Sequence, residues 1–223
     1  MQIKFKKNIN SYKYLVMFDL ASRLTGVCLW DVEQNIPVKT TLLKTSKDSE
    51  LPVANLYDTI DQYFNTLQQQ GINLSDIVVY KEAMPVQLRG AASTVQTFIA
   101  LAKSHAILDY YTHLHSIDVY DYVGIYPIST HSYLKHLNQW DNKHKVDKVD
   151  IQTYVKNTYG FTNISFDESD AIMLAKTFIE VKWNKDLTEE IKAVKKHCKE
   201  LKAQHSIDAC LEEIKRLQGL TRA

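Results

Sequence analysis

The chain has 223 residues, enough for one α/β domain plus an extension, and 45% of them are apolar, the ordinary share for a protein that buries a core. A formal net charge of +1 weighs against a uniformly basic nucleic-acid binder but leaves room for local patches of either sign. No apolar run approaches the ~18–20 residues that span a bilayer, and the polar, basic segment 1–13 lacks the apolar centre of a secretion signal.

Residues 14–20 (YLVMFDL) are a short apolar run and predict a buried strand. Residues 26–32 predict a second, joined by the short link 21–25, and residues 38–43 a third. Three strands in quick succession predict an antiparallel meander. Leu56, Ile60, Tyr63, Phe64 and Leu67 then recur at helical spacing, with Gly71 placed to end the helix. The next strand is expected at 77–80, leading straight into Lys81 and Glu82. A long helix is expected over 91–111, a further strand over 117–125, and helices over 148–159, closed by Gly160, and 167–181. This order predicts an α/β fold whose strands pair antiparallel first and through helical crossovers later.

After Lys182 the composition changes. Residues 185–223 hold no proline and no aromatic residue. Leu187, Ile191, Val194, Cys198 and Leu201 trace a heptad seam that breaks at Gln204 and His205 and resumes at Ile207, Leu211, Ile214 and Leu217. The expected organisation is therefore a domain over 1–183 and a helical C-terminal extension over 184–223, a hairpin or an interrupted coiled-coil-like helix. Glutamates nearly balance the lysine row Lys192, Lys195, Lys196, Lys199 and Lys202, which favours packing over DNA contact for this tail. Cys28, Cys198 and Cys210 are odd in number and lack metal-ligand spacing, as expected of reduced thiols in a cytoplasmic protein.

Four carboxylates stand apart from the usual solvated acids. Asp19 ends an apolar strand before a small polar turn with Gly26. Glu82 follows the strand at 77–80. Asp167 and Asp170 lie three apart at a helix start and share a face. Taken singly, Asp19 could cap a turn and Asp167 a helix, with Asp170 suiting the helix dipole. Taken together, carboxylates at strand ends and a helix start suit phosphodiester hydrolysis. That chemistry uses two divalent ions about 3.5–4 Å apart to activate water and neutralise the leaving oxygen, and Mg²⁺ prefers oxygen ligands. No histidine pair has supporting ligand spacing.

The motifs DLASRLTG (19–26), YKEAMP (80–85) and FDESDAIMLA (166–175) resemble those of RuvC-like Holliday junction resolvases of the RNase H-like superfamily. YPISTHSYLKH (126–136) followed by KVDKVDIQTYV (145–155) resembles the family stretch in which a strand, a polar loop and a lysine-bearing helix contact the DNA backbone. The resemblance covers roughly residues 14–182. It implies a mixed five-stranded RNase H-like sheet flanked by helices and a homodimer that cuts a four-way junction symmetrically. It also implies Mg²⁺ as the ion, with Mn²⁺ substituting. Asp19, Glu82, Asp167 and Asp170 would be the metal ligands, and Lys148 would match the family's lysine near the scissile phosphate.

The chain departs from bacterial members in its loop 83–89, which carries no aromatic residue, so Met84 or Leu88 would have to wedge base steps. Its divergent loops and many lysines resemble bacteriophage-encoded members, which would place it in the host cytoplasm. Phosphate contacts are expected from Lys81 and Arg89 beside that loop, from His131, Lys135 and His136, and from Lys143, His144, Lys145 and Lys148. Two other readings remain open at this point: an RNase H-like nuclease on RNA–DNA hybrids or flaps, and a non-catalytic branched-DNA-binding protein.

Overall fold

The computed structural model describes residues 9–45, 52–84, 95–200, 211–217 and 219. β1 (Tyr14–Asp19), β2 (Leu24–Asp31) and β3 (Ile36–Lys44) form the expected meander. β4 (Ile77–Lys81) runs parallel to β1, and β5 (Asp118–Val119) parallel to β4. The result is a mixed five-stranded sheet in the order β3-β2-β1-β4-β5. The strand expected over 117–125 pairs as a strand only at Asp118–Val119. The chain then turns away, because Asp121 accepts the Val123 and Gly124 amides and Gly124 takes a φ of 86°. Ile125 returns to bridge Glu82.

Strand alternation sorts the sheet into two faces. Val16, Phe18, Val27, Leu29, Ile77 and Val79 share a core with α1 (Pro52–Gln69) and α2 (Val95–Leu114). There Phe64 stacks on Tyr111 with centroids 5.4 Å apart, and Phe18 meets Tyr63 edge-on at 6.3 Å. Each such buried ring stabilises the fold by about 1.5–3 kcal/mol. The opposite face presents Leu15, Met17, Cys28, Trp30, Val78 and Tyr80, all buried. It meets α4 (Lys148–Tyr159) through Trp30, whose ring lies 5.8 Å from Tyr159, and α5 (Phe166–Thr177) at Gly26.

α3 (Pro127–Leu137) was not expected: the family likeness implied a strand and a polar loop there. Proline at the first helical position, its φ already suited to a helix, starts it, and Thr130 and Leu134 point inward one turn apart.

Contacts divide the chain into a unit of residues 9–176 and a second unit from Thr177 onward, earlier than the composition change after Lys182. The second unit holds a π-helical segment, Phe178–Trp183, then α6 (Asn184–Glu200) and a helix over 211–217. Leu187, Val194, Ile214 and Leu217 are buried, as a seam requires, whereas Leu211 is exposed and outside it. No described helix is long and apolar enough to cross a membrane.

Candidate active site

Two glycines and one sheet pairing bring the carboxylates together. Asp19 ends β1 opposite Gly26 on β2. A Cβ on Gly26 would sit 2.0 Å from the Asp167 carbonyl oxygen, so the missing side chain lets the first turn of α5 rest on β2. Carboxylate oxygens of Asp19, Asp167 and Asp170 consequently lie within 4.8 Å of one another. Glu82 follows β4, and its amide donates to the Phe18 carbonyl at 2.9 Å. Gly124 packs behind it, where a Cβ would approach the Glu82 carbonyl carbon to 2.8 Å. The Asp19 and Glu82 carboxyl groups share a hydrogen bond.

The helix-cap reading of Asp167 is replaced. Ser165 caps α5: its Oγ accepts the Glu168 amide at 3.2 Å, and Glu168 Oε2 accepts the Ser165 amide at 3.0 Å. That reciprocal box leaves Asp167 and Asp170 free of capping duty. α4 starts with a second box, in which Asp147 accepts the Val149 and Asp150 amides and Asp150 accepts the Asp147 amide. Lys148 is the first residue of α4, at the end where the helix dipole disfavours a cation. Its Nζ lies 3.2 Å from Asp167 and 3.3 Å from Asp170, which compensates.

These groups line a cleft of about 520 Å³ with Thr130 and His131 of α3 on its wall. Burial raises the Asp19 carboxyl to about 9, and the charges of Glu82, Asp170 and Asp167 push in the same direction. Burial also raises Glu82 and Asp170, with Lys148 opposing in both. The Lys148 ammonium is itself held above its ordinary value: burial pulls it down, but Asp170 and Asp167 outweigh that. Among the described residues, Asp170 Oδ1 is a buried polar atom without a hydrogen-bond partner. A like-charged, all-oxygen cluster with an orphaned acceptor suits a hard divalent cation.

The expected phosphate contacts divide. Lys81 is corrected: it is 3% exposed, and its ammonium pairs with Asp109 on α2. It sits one residue from Glu82 and therefore on the opposite face of the sheet. Leu88 and Arg89 lie outside the described residues. His131 lines the cleft. Lys135 lines a neighbouring concavity, and Lys143 and Lys145 are exposed on the loop before α4. Sequence reasoning missed Gly124 and Thr130, and it placed Gly26 in the turn after Asp19 without the close approach to α5 that the structure gives it. It also missed the Ser-Phe-Asp-Glu box at 165–168, although the spacing S-x-x-E is a readable cap signal.

No family model and no curated protein sequence matches the chain. Its fold is similar to that of Thermus thermophilus RuvC in complex with a Holliday junction substrate. That similarity has a TM-score of 0.52 and 13% identity over 74% of this chain and 91% of the other. A second Thermus thermophilus RuvC structure gives a TM-score of 0.50 and 13% identity, covering 74% and 92%. At that identity the likeness is one of architecture, and this chain has the RuvC-like, RNase H-like α/β fold.

Proposed function

We propose that the chain is a divalent-metal-dependent endonuclease that resolves four-way junctions and other branched DNA, a crossover junction endodeoxyribonuclease. The convergence of Asp19, Glu82, Asp167 and Asp170 in one cleft of this fold carries the reading. Held by these four residues, Mg²⁺, with Mn²⁺ as a substitute, would supply activation of water and neutralisation of the leaving oxygen. Asp19 stands between Glu82 and the α5 pair, so it is the carboxylate common to both. Lys148 spans Asp167 and Asp170 and would hold a phosphate oxygen against the cluster. His131 would offer a hydrogen bond from the facing wall. Lys135, Lys143 and Lys145 would hold the backbone beyond the cleft.

Symmetric cutting needs two such sites. The outer face of α2 supports a homodimer, since Val95, Ile99, Tyr110 and Leu114 are 68%, 46%, 59% and 54% exposed. Sedimentation should give twice the monomer mass. The activity is tested on a synthetic immobile four-way junction, a Y-junction and an RNA–DNA hybrid with Mg²⁺. Paired, symmetric nicks are expected on the junction. Asp19→Asn should lower cutting by more than the roughly 10–100-fold typical of losing an outer-shell partner, with junction binding retained. Normal cutting by that variant would sink the mechanism, and preference for the hybrid would sink the substrate.

A further inference from the structure

A second concavity, of about 660 Å³, lies on another side of α3 from the carboxylate cleft. α3 gives Thr130 and His131 to the cleft and Ser132, Lys135, His136 and Leu137 to this groove, and Gln139, Trp140 and Asn142 complete it. The turn after α3 is well tied. The Trp140 amide donates to the Lys135 carbonyl at 3.0 Å, and Lys135 Nζ donates to the Asn142 carbonyl at 3.0 Å.

The indole is braced from behind. The His144 ring, which does not line the groove, lies 4.1 Å from it. His144 Nε2 lies 2.9 Å from Asp150 Oδ2, the same oxygen that accepts the Asp147 amide in the α4 cap. The wall of the groove is thus tethered to the helix that begins at Lys148. Trp30 and Trp183 are 0% and 1% exposed, whereas Trp140 keeps part of its surface open to the groove.

An aromatic ring with cations and amides around it is the chemistry that takes a nucleobase: a face to stack on, polar edges to satisfy, and charge for the sugar-phosphate. Between residues 127 and 148, Lys135, Lys143, Lys145 and Lys148 outnumber Asp141 and Asp147 in a chain of net charge +1. The volume is that of a small-ligand pocket, with room for one nucleotide and not for a duplex. We infer that this groove holds one unpaired base of the DNA strand that passes the carboxylate cleft, with its face on Trp140 and its phosphate against Lys135 and His136. This rests on the branched-DNA reading above, because such substrates present bases that can leave the stack.

Tryptophan emission and a mobility shift test it together, using the full chain and a synthetic four-way junction with metal chelated so that no strand is cut. Junction binding should quench part of the emission, and Trp140→Phe should remove that change while binding with nearly wild-type affinity. Trp140→Ala should bind about tenfold more weakly. Should the alanine variant lose its thermal transition, quenching in the wild-type protein decides alone. If the junction shifts the wild-type protein without changing its emission, the inference is overturned while the nuclease reading stands, since cutting is scored separately. If no junction binds at all, both fall.

Discussion

Lys81 and Glu82 are consecutive residues at the end of one strand, and the two faces they enter treat buried charge in opposite ways. On the α2 side, Lys81 meets Asp109, a pair of opposite sign. His105 beside it is held neutral, its value lowered to about 4 by burial first and then by the Lys81 charge. On the α5 side, Glu82 meets Asp19, with Asp170 close by; burial raises all three, and the charge of a neighbouring carboxylate adds to it in each. Both faces take ionisable groups from water, at a cost of several kcal/mol per ion. One face compensates within the chain, and the other leaves a deficit that Lys148 meets only in part. Burial alone therefore does not single out a candidate site here; the missing counter-charge does.

The contrast is broken most directly at Lys81. Lys81→Met strands Asp109 and should cost about 3 kcal/mol in chemical denaturation, the low end for a broken buried pair because Asp109 keeps 33% of its side chain exposed. Adding Asp109→Leu should restore most of that loss, and a double variant as unstable as the single one would refute the compensation. Gly26→Ala strikes the other face. Its Cβ must displace the start of α5, so we expect about 1–3 kcal/mol of destabilisation and a clear loss of Mn²⁺ affinity by calorimetry. Unchanged affinity would show that this close approach does not set the carboxylate geometry.

Acidity sharpens the same comparison. Because the folded protein raises Asp19, its contribution to stability is complete below the ordinary carboxylate range and is lost as the pH climbs through about 9. With metal chelated, the melting temperature of the wild-type protein relative to Asp19→Asn should therefore fall between pH 5 and 9, by at least about 3 °C for ~1 kcal/mol. Mg²⁺ should reverse the fall by binding the folded state. A flat difference would mean that Asp19 titrates as a solvated acid. The smallest effect is expected at Ser165→Ala, about 1 kcal/mol for a lost cap, with Mn²⁺ affinity little changed. Abolished affinity there would make the cap part of the site.

Much of the site was legible before the fold. Asp19 ends one apolar strand and Glu82 directly follows another, where a carboxylate gains nothing from packing, and both positions hold in the structure. Lys81 was misread although strand alternation could have corrected it, since Ile77, Val79 and Lys81 must share the face that Glu82 avoids. Asp167 and Asp170 remained open to a capping role because Ser165 and Glu168 went unread as the pair that performs it. α3 differs for another reason: Pro127, its φ already suited to a first helical turn, starts a helix where the family likeness implies a strand and a polar loop.

Local pattern is what the chain by itself determined: strand and helix periods, the meander, and acids placed where packing has no use for them. These depend on neighbours a few residues away, and so they can be read in order. Convergence was decided only by the tertiary structure. Asp19 reaches Glu82 because β4 runs parallel to β1, and it reaches Asp167 and Asp170 because a glycine lets a helix touch the sheet. The same packing gave Lys81 its partner and withheld one from the Asp170 oxygen. Electrostatic energy depends on distance and on solvent exclusion, and neither is set by position along a sequence.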